Sequence, residues 1–240
     1  MTKCGFFHIL PGIADQTAIA SKSCQPLHLL DPDRDPPDDI GMAIKIKESV
    51  ITKVDILSLS LCKVLDETAQ EVSLYSLWQK QTAIFIFLRH FGCLMCRAHA
   101  KQVWGLREQY EKTGAKIYFI GNGSPYLITK FKEDLGLVSA TILTDPQLLS
   151  FKASGFRRGF LAALGPKALG NGRKLFKEGH RQGENNSENG DLWQLGGILV
   201  VKTDGKVGYH YISQVAGDYS PAKDVEEIQA IPALPTKPVT

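Results

Sequence analysis

The sequence predicts an α/β protein in which a central mixed sheet is flanked by helices. Three observations carry this. Short apolar runs of strand length alternate with segments whose apolar residues recur at three- and four-residue steps. One run, Ala83-Ile84-Phe85-Ile86-Phe87-Leu88, is apolar at every position, as a strand buried on both faces must be. Towards the C-terminal end two extended runs flank Asp204-Gly205, and a helical segment follows them.

Taken in order, residues 1–48 show no periodicity, and the acidic, proline-rich Asp31-Pro32-Asp33-Arg34-Asp35-Pro36-Pro37 predicts an irregular, mobile extension. From Val54 the pattern changes. Leu57, Leu59 and Leu61 alternate with Ser58 and Ser60 and read as a half-buried strand. Asp66-Glu67-Thr68 supplies a turn, and Val72 and Leu74 resume an extended pattern, so an N-terminal hairpin is expected. Residues 83–88 are the central strand. Met95, His99, Val103, Leu106 and Tyr110 then mark one amphipathic helix ending near Gly114.

Lys116-Ile117-Tyr118-Phe119-Ile120 is the next strand. The glycines of Gly121-Asn122-Gly123-Ser124-Pro125 could cradle a phosphate. No Lys-Ser/Thr pair completes such a loop, so Ser124 reads instead as an N-cap, with Pro125 opening a helix. Ala140-Thr141-Ile142-Leu143 is a short strand, and Asp145-Pro146 opens a short helix. Residues 155–193 form a long insertion rich in glycine and in Arg157, Arg158, Lys167, Arg173, Lys174, Lys177 and Arg181. It reads as a solvated basic loop or as a lid attractive to acidic substrates. Gly197–Val201 and Val207–Tyr211 form a hairpin, and a helix after Ser220-Pro221 buries Val225 and Ile228. The domain is therefore expected over 49–231, with the insertion inside it, and 232–240 as a proline-bearing tail.

Whole-chain properties exclude several functions. In 240 residues, 43% hydrophobic and 22% charged, there is enough apolar material for a core of ordinary size. A net charge of +3 gives no argument for a nucleic-acid partner. No apolar run reaches the roughly 18 residues of a membrane span. The first residues lack the charged start and apolar centre of a signal peptide. Five thinly spread cysteines do not suggest a secreted disulfide framework, so a reducing, cytoplasmic compartment is expected.

The chemistry centres on Phe91-Gly92-Cys93-Leu94-Met95-Cys96-Arg97, between the central strand and the next helix. A thiol on a helix's first turn meets free backbone N–H groups and the positive end of the helix dipole. Its pKa can then fall from about 8.5 to roughly 3.5–7.5. Cys93, the first of the pair, is the expected nucleophile, towards an electrophilic sulfur or a peroxide oxygen. Cys96 is the expected resolving thiol, and the disulfide is reduced from outside by thiol exchange. Arg97, and His90 when protonated, are candidates to stabilise the thiolate. Two other readings stay open at this point. His90, Cys93, Cys96 and His99 have ligand chemistry for zinc, but a compact strand-to-helix junction wraps four ligands poorly. The pair could also be two buried structural thiols. Cys62, in an apolar stretch, reads as a small buried hydrophobe, while Cys4 and Cys24 lie in the irregular N-terminal part. A Cys-x-x-Cys opening the first core helix, with a terminal hairpin plus helix, is the thioredoxin pattern.

Arg89-His90-Phe91-Gly92-Cys93-Leu94-Met95-Cys96-Arg97 resembles the redox motif of the peroxiredoxin-like 2 group, within the alkyl hydroperoxide reductase/thiol-specific antioxidant superfamily. Gly190-Asp191-Leu192-Trp193-Gln194-Leu195-Gly196-Gly197 resembles its second landmark, and Gly217-Asp218-Tyr219-Ser220-Pro221 a third. Val54 to Trp78 is similar to the opening hairpin of a member of that group. The likeness covers about residues 50–230. It implies a thioredoxin-like fold and reduction of a peroxide or prostaglandin endoperoxide by Cys93 and Cys96. It further implies no tightly bound cofactor or metal, and an external reductant, a thioredoxin-type thiol or an NADPH-linked system. Typical peroxiredoxins carry Pro and Thr or Ser ahead of the reactive Cys; Ile86 and His90 stand there. Thioredoxins place a cis-Pro before the hairpin; Gly197 stands there. These departures weigh against fast peroxide turnover and general disulfide exchange. Gly196, Gly197 and His90 are expected to face the substrate, the glycines leaving room for a bulky one. A non-catalytic redox sensor, whose Cys pair switches partner binding, is the alternative of a different class.

Overall fold

The computed structural model describes residues 54–184, 186–219 and 221–230. The expectations for residues 1–48, for Cys4 and Cys24 and for the 232–240 tail lie outside them. In chain order the elements are α1 (Ile56–Leu61), β1 (Lys63–Leu65), β2 (Glu71–Ser73), α2 (Leu74–Trp78), β3 (Ala83–Phe87), α3 (Leu94–Gly105), α4 (Arg107–Glu111) and β4 (Lys116–Gly121). There follow α5 (Tyr126–Leu135), β5 (Thr141–Thr144), α6 (Leu149–Ala153), α7 (Phe160–Leu164), α8 (Pro166–Lys177), β6 (Gly197–Val201), β7 (Val207–Ile212) and α9 (Pro221–Gln229).

The seven strands form one mixed sheet in the order β2-β1-β5-β4-β3-β6-β7. β3, β4 and β5 are parallel, β6 runs antiparallel to β3, and β6 and β7 form the terminal hairpin. This is the α/β layer expected, with β3 central and wholly buried. Its alternation divides the core. Ile84, Ile86 and Leu88 face one cluster with the Cys pair, Val103, Phe131 and Ile228. Phe85 and Phe87 face the other, with Leu59, Trp78, Phe151 and Phe156. Both faces of the sheet are therefore covered, the usual condition of a parallel centre.

The first predicted strand is corrected. Residues 56–61 are helical, because the Asp55 carboxylate caps them, accepting from the Ser58 N–H at 3.0 Å and from the Ser58 hydroxyl at 2.6 Å. Leu59 is buried, whereas Leu57 and Leu61 are 75% and 83% exposed. The hairpin begins two residues later, Lys63–Leu65 pairing with Glu71–Ser73 around a turn in which Asp66 Oδ1 accepts from Thr68 and Gln70. Cys62 is buried, but it caps the helix rather than lying in a strand, and its thiol donates to the Ser58 carbonyl.

The long helix after the Cys pair is two helices, broken at Leu106 (φ −101°, ψ 8°). Gly114, at φ +78°, ends the second. At 121–125 the cap is Pro125, with Tyr126 the first helical residue, one position later than expected. The basic insertion is only partly a loop. It carries α7 and α8, and Ala168, Gly172 and Asn171 turn α8 against α3 and the 216–217 segment: a Cβ on Gly172 would touch Met95 Cε, and the Asn171 amide donates to Ala216 O.

Candidate active site

Cys93 is the N-cap of α3, with extended backbone (φ −68°, ψ 121°), and its carbonyl accepts the Arg97 N–H. The strand-to-helix link that delivers it there is short: Cys93 N–H donates to His90 O at 3.2 Å. Both thiols are free and buried, Cys93 5% and Cys96 4% exposed. They hydrogen-bond each other. The hydrogen bond from the Cys96 thiol, before any other contact, holds Cys93 well below the usual thiol range, and the Cys96 backbone N–H adds the smallest share. Burial opposes the shift, and the Arg89 guanidinium, whose Nη1 lies 3.5 Å from Cys93 Sγ, adds to it. Cys96 goes the other way: burial, then the donated hydrogen bond and the negative charge of Cys93, push it well above the range. The Arg89 backbone N–H donates to Cys96 Sγ at 3.2 Å. The two sulfurs are thus pushed apart, Cys93 towards the thiolate and Cys96 towards the protonated thiol.

Arg89 is held from the far side. Its Nη2 donates to Leu192 O at 2.6 Å and its Nε to Gln194 O at 3.3 Å. Those carbonyls belong to the second sequence landmark. There Asp191 accepts from the backbone N–H groups of Trp193 and Gln194 and from Arg158 Nε, while its own carbonyl accepts from the Asn122 amide. Gly190, at φ +84°, passes so close to Asn122 that a Cβ would fall 2.3 Å from its carbonyl oxygen, so no other residue fits. The same stretch closes over the redox loop: Gly183 N–H donates to Gly92 O, and Ser124 N–H to Glu188 O. The end of the insertion is therefore a cover pinned across the Cys pair.

The other sequence candidates fall as follows. Arg97 does not face the thiols. Its Nη2 pairs with Asp134 at 2.9 Å and its guanidinium lies 5.7 Å from the Phe131 ring centre. His90 is buried with Nδ1 unpartnered, and burial depresses it below its ordinary 6.5, so the ring is neutral at neutral pH and the positive charge beside Cys93 is that of Arg89. Gly196 and Gly197 line a cavity of about 20 Å³ beside Cys96, together with Arg89, Met95, His99 and Tyr219. The room beside them is taken by the protein: a Cβ on Gly196 would meet Phe87 O, and one on Gly197 would meet Tyr211 O and the Phe156 ring. Close packing, not a bulky substrate, demands these glycines.

Two residues of the site were not singled out by sequence. Arg89 is one. Tyr219 is the other: its ring stacks on His99 at 3.7 Å and its hydroxyl donates to the Met95 carbonyl. Burial, then the nearby sulfurs, push the phenol far up, so it remains a neutral donor. His99 in turn is depressed by burial to about 3. With His99 committed to this stack, the four-ligand zinc set does not assemble; among the described residues no three His, Cys, Asp or Glu side chains gather as a metal site requires. A surface cleft of about 530 Å³ lined by Lys167, Asn171, Gln214 and Asp218 shares Gly217 and Tyr219 with the small cavity. A larger cavity of about 740 Å³, between α1, β1 and the 145–153 segment, contains neither thiol of the pair.

A Cys-x-x-Cys at the N-terminus of the first core helix, on a mixed sheet with a terminal hairpin and helix, defines a thioredoxin-like thiol oxidoreductase of peroxiredoxin type. The fold is shared with the peroxidoxin BcpB of Mycobacterium tuberculosis (TM-score 0.52, 18% identity, 71% of this chain and 93% of that one) and with a bacterioferritin comigratory protein of Xanthomonas campestris (TM-score 0.52, 11% identity, 72% and 94%). A family model described as AhpC/TSA antioxidant enzyme matches residues 103–215, C-terminal to the Cys pair. The prostamide/prostaglandin F synthase of Xenopus laevis is 33% identical over 172 residues, 71% of this chain and 85% of that protein. The chloroplastic thioredoxin-like protein AAED1 of Arabidopsis thaliana is 32% identical over 176 residues, 70% of each. The chain belongs to the peroxiredoxin-like 2 family of AhpC/TSA proteins, and is a peroxiredoxin-like oxidoreductase.

Proposed function

We propose that the protein reduces a peroxide or endoperoxide bond by a Cys93/Cys96 dithiol–disulfide cycle. The observation that supports this most directly is the division of the pair, Cys93 facing Arg89 and accepting from Cys96, so that one sulfur is a nucleophile and the other carries a proton. The Cys93 thiolate attacks one oxygen of the O–O bond. An S–O bond forms, the O–O bond breaks, and the departing alkoxide takes a proton, from Cys96 or from water. A hydroperoxide leaves Cys93 as a sulfenic acid; an endoperoxide leaves it as a sulfenate ester. Cys96 then attacks Cys93 Sγ, expelling water or the second alcohol and forming the disulfide. Two electrons from an external thiol, of thioredoxin type or NADPH-linked, restore the dithiol. A reducing compartment such as the cytoplasm suits the cycle. The domain that performs it is 49–231, with 155–193 as its cover.

The small cavity favours a second reading. About 20 Å³ admits one water-sized group, so any larger peroxide needs the 183–195 cover to move. A site that stays shut would make the pair a stoichiometric redox switch instead. One equivalent of hydroperoxide followed by mass spectrometry should give a Cys93–Cys96 disulfide, and Cys96→Ser should stop at a sulfenic acid on Cys93 that dimedone traps. Steady peroxide consumption with a thioredoxin system, lost in Cys93→Ser, is the expected turnover. Disulfide formation without turnover would establish the switch, and linkage of any other cysteine would overturn both readings.

A further inference from the structure

We propose that α7 and α8 form a docking surface for an anionic lipid bilayer. The proposal does not depend on the chemistry of the Cys pair. It begins with an unusual pairing of side chains. Phe160, Leu161 and Leu164 on α7, and Leu169 and Phe176 on α8, are exposed, Leu161 by 75% and Leu169 by 62%. Leu169 and Phe176 are seven residues apart, two turns, and so share one flank of α8, about a quarter turn round from the stripe of Ala168, Asn171, Gly172 and Leu175 that turns inward. Arg173 stands next to them on the exposed side, Lys177 about a quarter turn from them, and Lys174 and Lys167 further round.

None of these four cations has an acidic partner within ion-pair distance among the described residues. The Arg181 guanidinium lies 4.7 Å from the Phe176 ring centre and donates to the Phe176 and His180 carbonyls, with no carboxylate beside it among the described residues. Residues 155–183 hold seven Arg and Lys against the single acid Glu178, a net +6 in a chain of formal charge +3, which leaves the remainder at −3. The positive charge is therefore concentrated in the segment that carries α7 and α8, although Arg158 within it is paired with Asp191.

That combination selects the partner. A nucleic acid would use the cations but give five exposed apolar side chains nothing to bury in. A bilayer with anionic headgroups satisfies both, the apolar side chains entering the headgroup boundary and the cations remaining among the phosphates. No helix among the described residues is long and apolar enough to cross a membrane, so the surface lies on the bilayer and does not span it. α8 packs on α3, the helix that Cys93 caps.

The test is flotation of the full chain with phosphatidylcholine vesicles, with and without about a third phosphatidylserine, at low and high salt. Binding is expected to the anionic vesicles, to weaken with salt, and to be slight to the neutral ones. Lys174→Glu/Lys177→Glu should lower partitioning roughly thirtyfold or more at low salt, since each lysine contributes about fivefold. Leu169→Ser/Phe176→Ser should weaken it too. All four positions are exposed, so an unchanged urea midpoint is expected; should the apolar variant not fold, the charge variant decides alone. Absence of flotation with anionic vesicles, equal binding to neutral ones, or full binding by the charge variant would overturn the proposal.

Discussion

Arg89 and Arg97 stand four residues either side of Cys93, and their opposite fates are set by what their guanidinium groups find. Arg89 lies at the end of the central strand, where Leu192 and Gln194 offer carbonyls and Cys93 offers its sulfur. Arg97, one helical turn into α3, finds Asp134 and Phe131 instead. The two make separable predictions. Arg89→Gln should raise the pH at which Cys93 becomes reactive towards iodoacetamide by about 1 to 3 pH units, because removing a nearby cation disfavours the thiolate. Cys96→Ala should raise it as well, since the largest stabilising contact is lost. Arg97→Gln should leave that titration where it is and lower the urea midpoint, at a cost of about 1–3 kcal/mol for the broken buried contact. A shift of the Cys93 titration by Arg97→Gln, and none by Arg89→Gln, would reverse the assignment. The motif made the nucleophile and its partner legible in the sequence. Which arginine faces them was not legible, because the answer lies in carbonyls about a hundred residues away and in the turn of the chain between strand and helix.

At the scale of elements, the buried strands were legible, even the short β5, while the break between α3 and α4 and the six residues of α1 were not. β3, β4, β6 and β7 carry enough residues for their period to be distinctive. The six residues of α1 do not: Leu57, Leu59 and Leu61 alternate, yet only Leu59 enters the core. The Asp55 cap was the available signal, a short polar residue three positions before a serine that answers it. Leu59→Ala should therefore cost about 2–5 kcal/mol, while Leu57→Ser and Leu61→Ser should stay within about 0.5 kcal/mol, as read from chemical denaturation. A strand would make all three alike. The glycines before β6 were legible as a departure, but their cause was not. With Phe156 and the Tyr211 carbonyl already where a methyl would go, Gly197→Ala should cost about 1–3 kcal/mol and slow no substrate by bulk alone. The insertion was legible as too long for a connection; that it is helical, and pinned over the site through Asp191 and Gly183, depends on partners distant in the chain.

The whole molecule places a sheet between two apolar layers and puts several titratable groups inside them, and this fixes how stability follows pH. His99, between α3 and Tyr219, is depressed by burial from 6.5 to about 3, and His90 and His210 are depressed as well, first by burial. Each takes up its proton at a lower pH in the folded chain than in the unfolded one, which gains it below about pH 6.5. The unfolded state then binds more protons, so this stability is fully present above 6.5 and is lost as pH falls towards the folded values, at up to about 1.4 kcal/mol per pH unit for each histidine. Asp224 runs against them. Burial raises it from 3.8 to about 6, although Tyr209 donates to it at 2.7 Å. Its folded form holds a proton that the unfolded form has released, so its contribution is greatest below 3.8 and is lost as pH rises through 6. Between about pH 4 and 6 the carboxyl offsets part of the histidine loss. The urea midpoint should therefore fall on acidification below 6.5. His99→Phe, which keeps the ring stacked on Tyr219 and removes the titration, should flatten that fall. Asp224→Asn, which cannot release a proton, should steepen it between 4 and 6. If His99→Phe left the acid slope unchanged, the buried imidazole would not be the group that acid recruits.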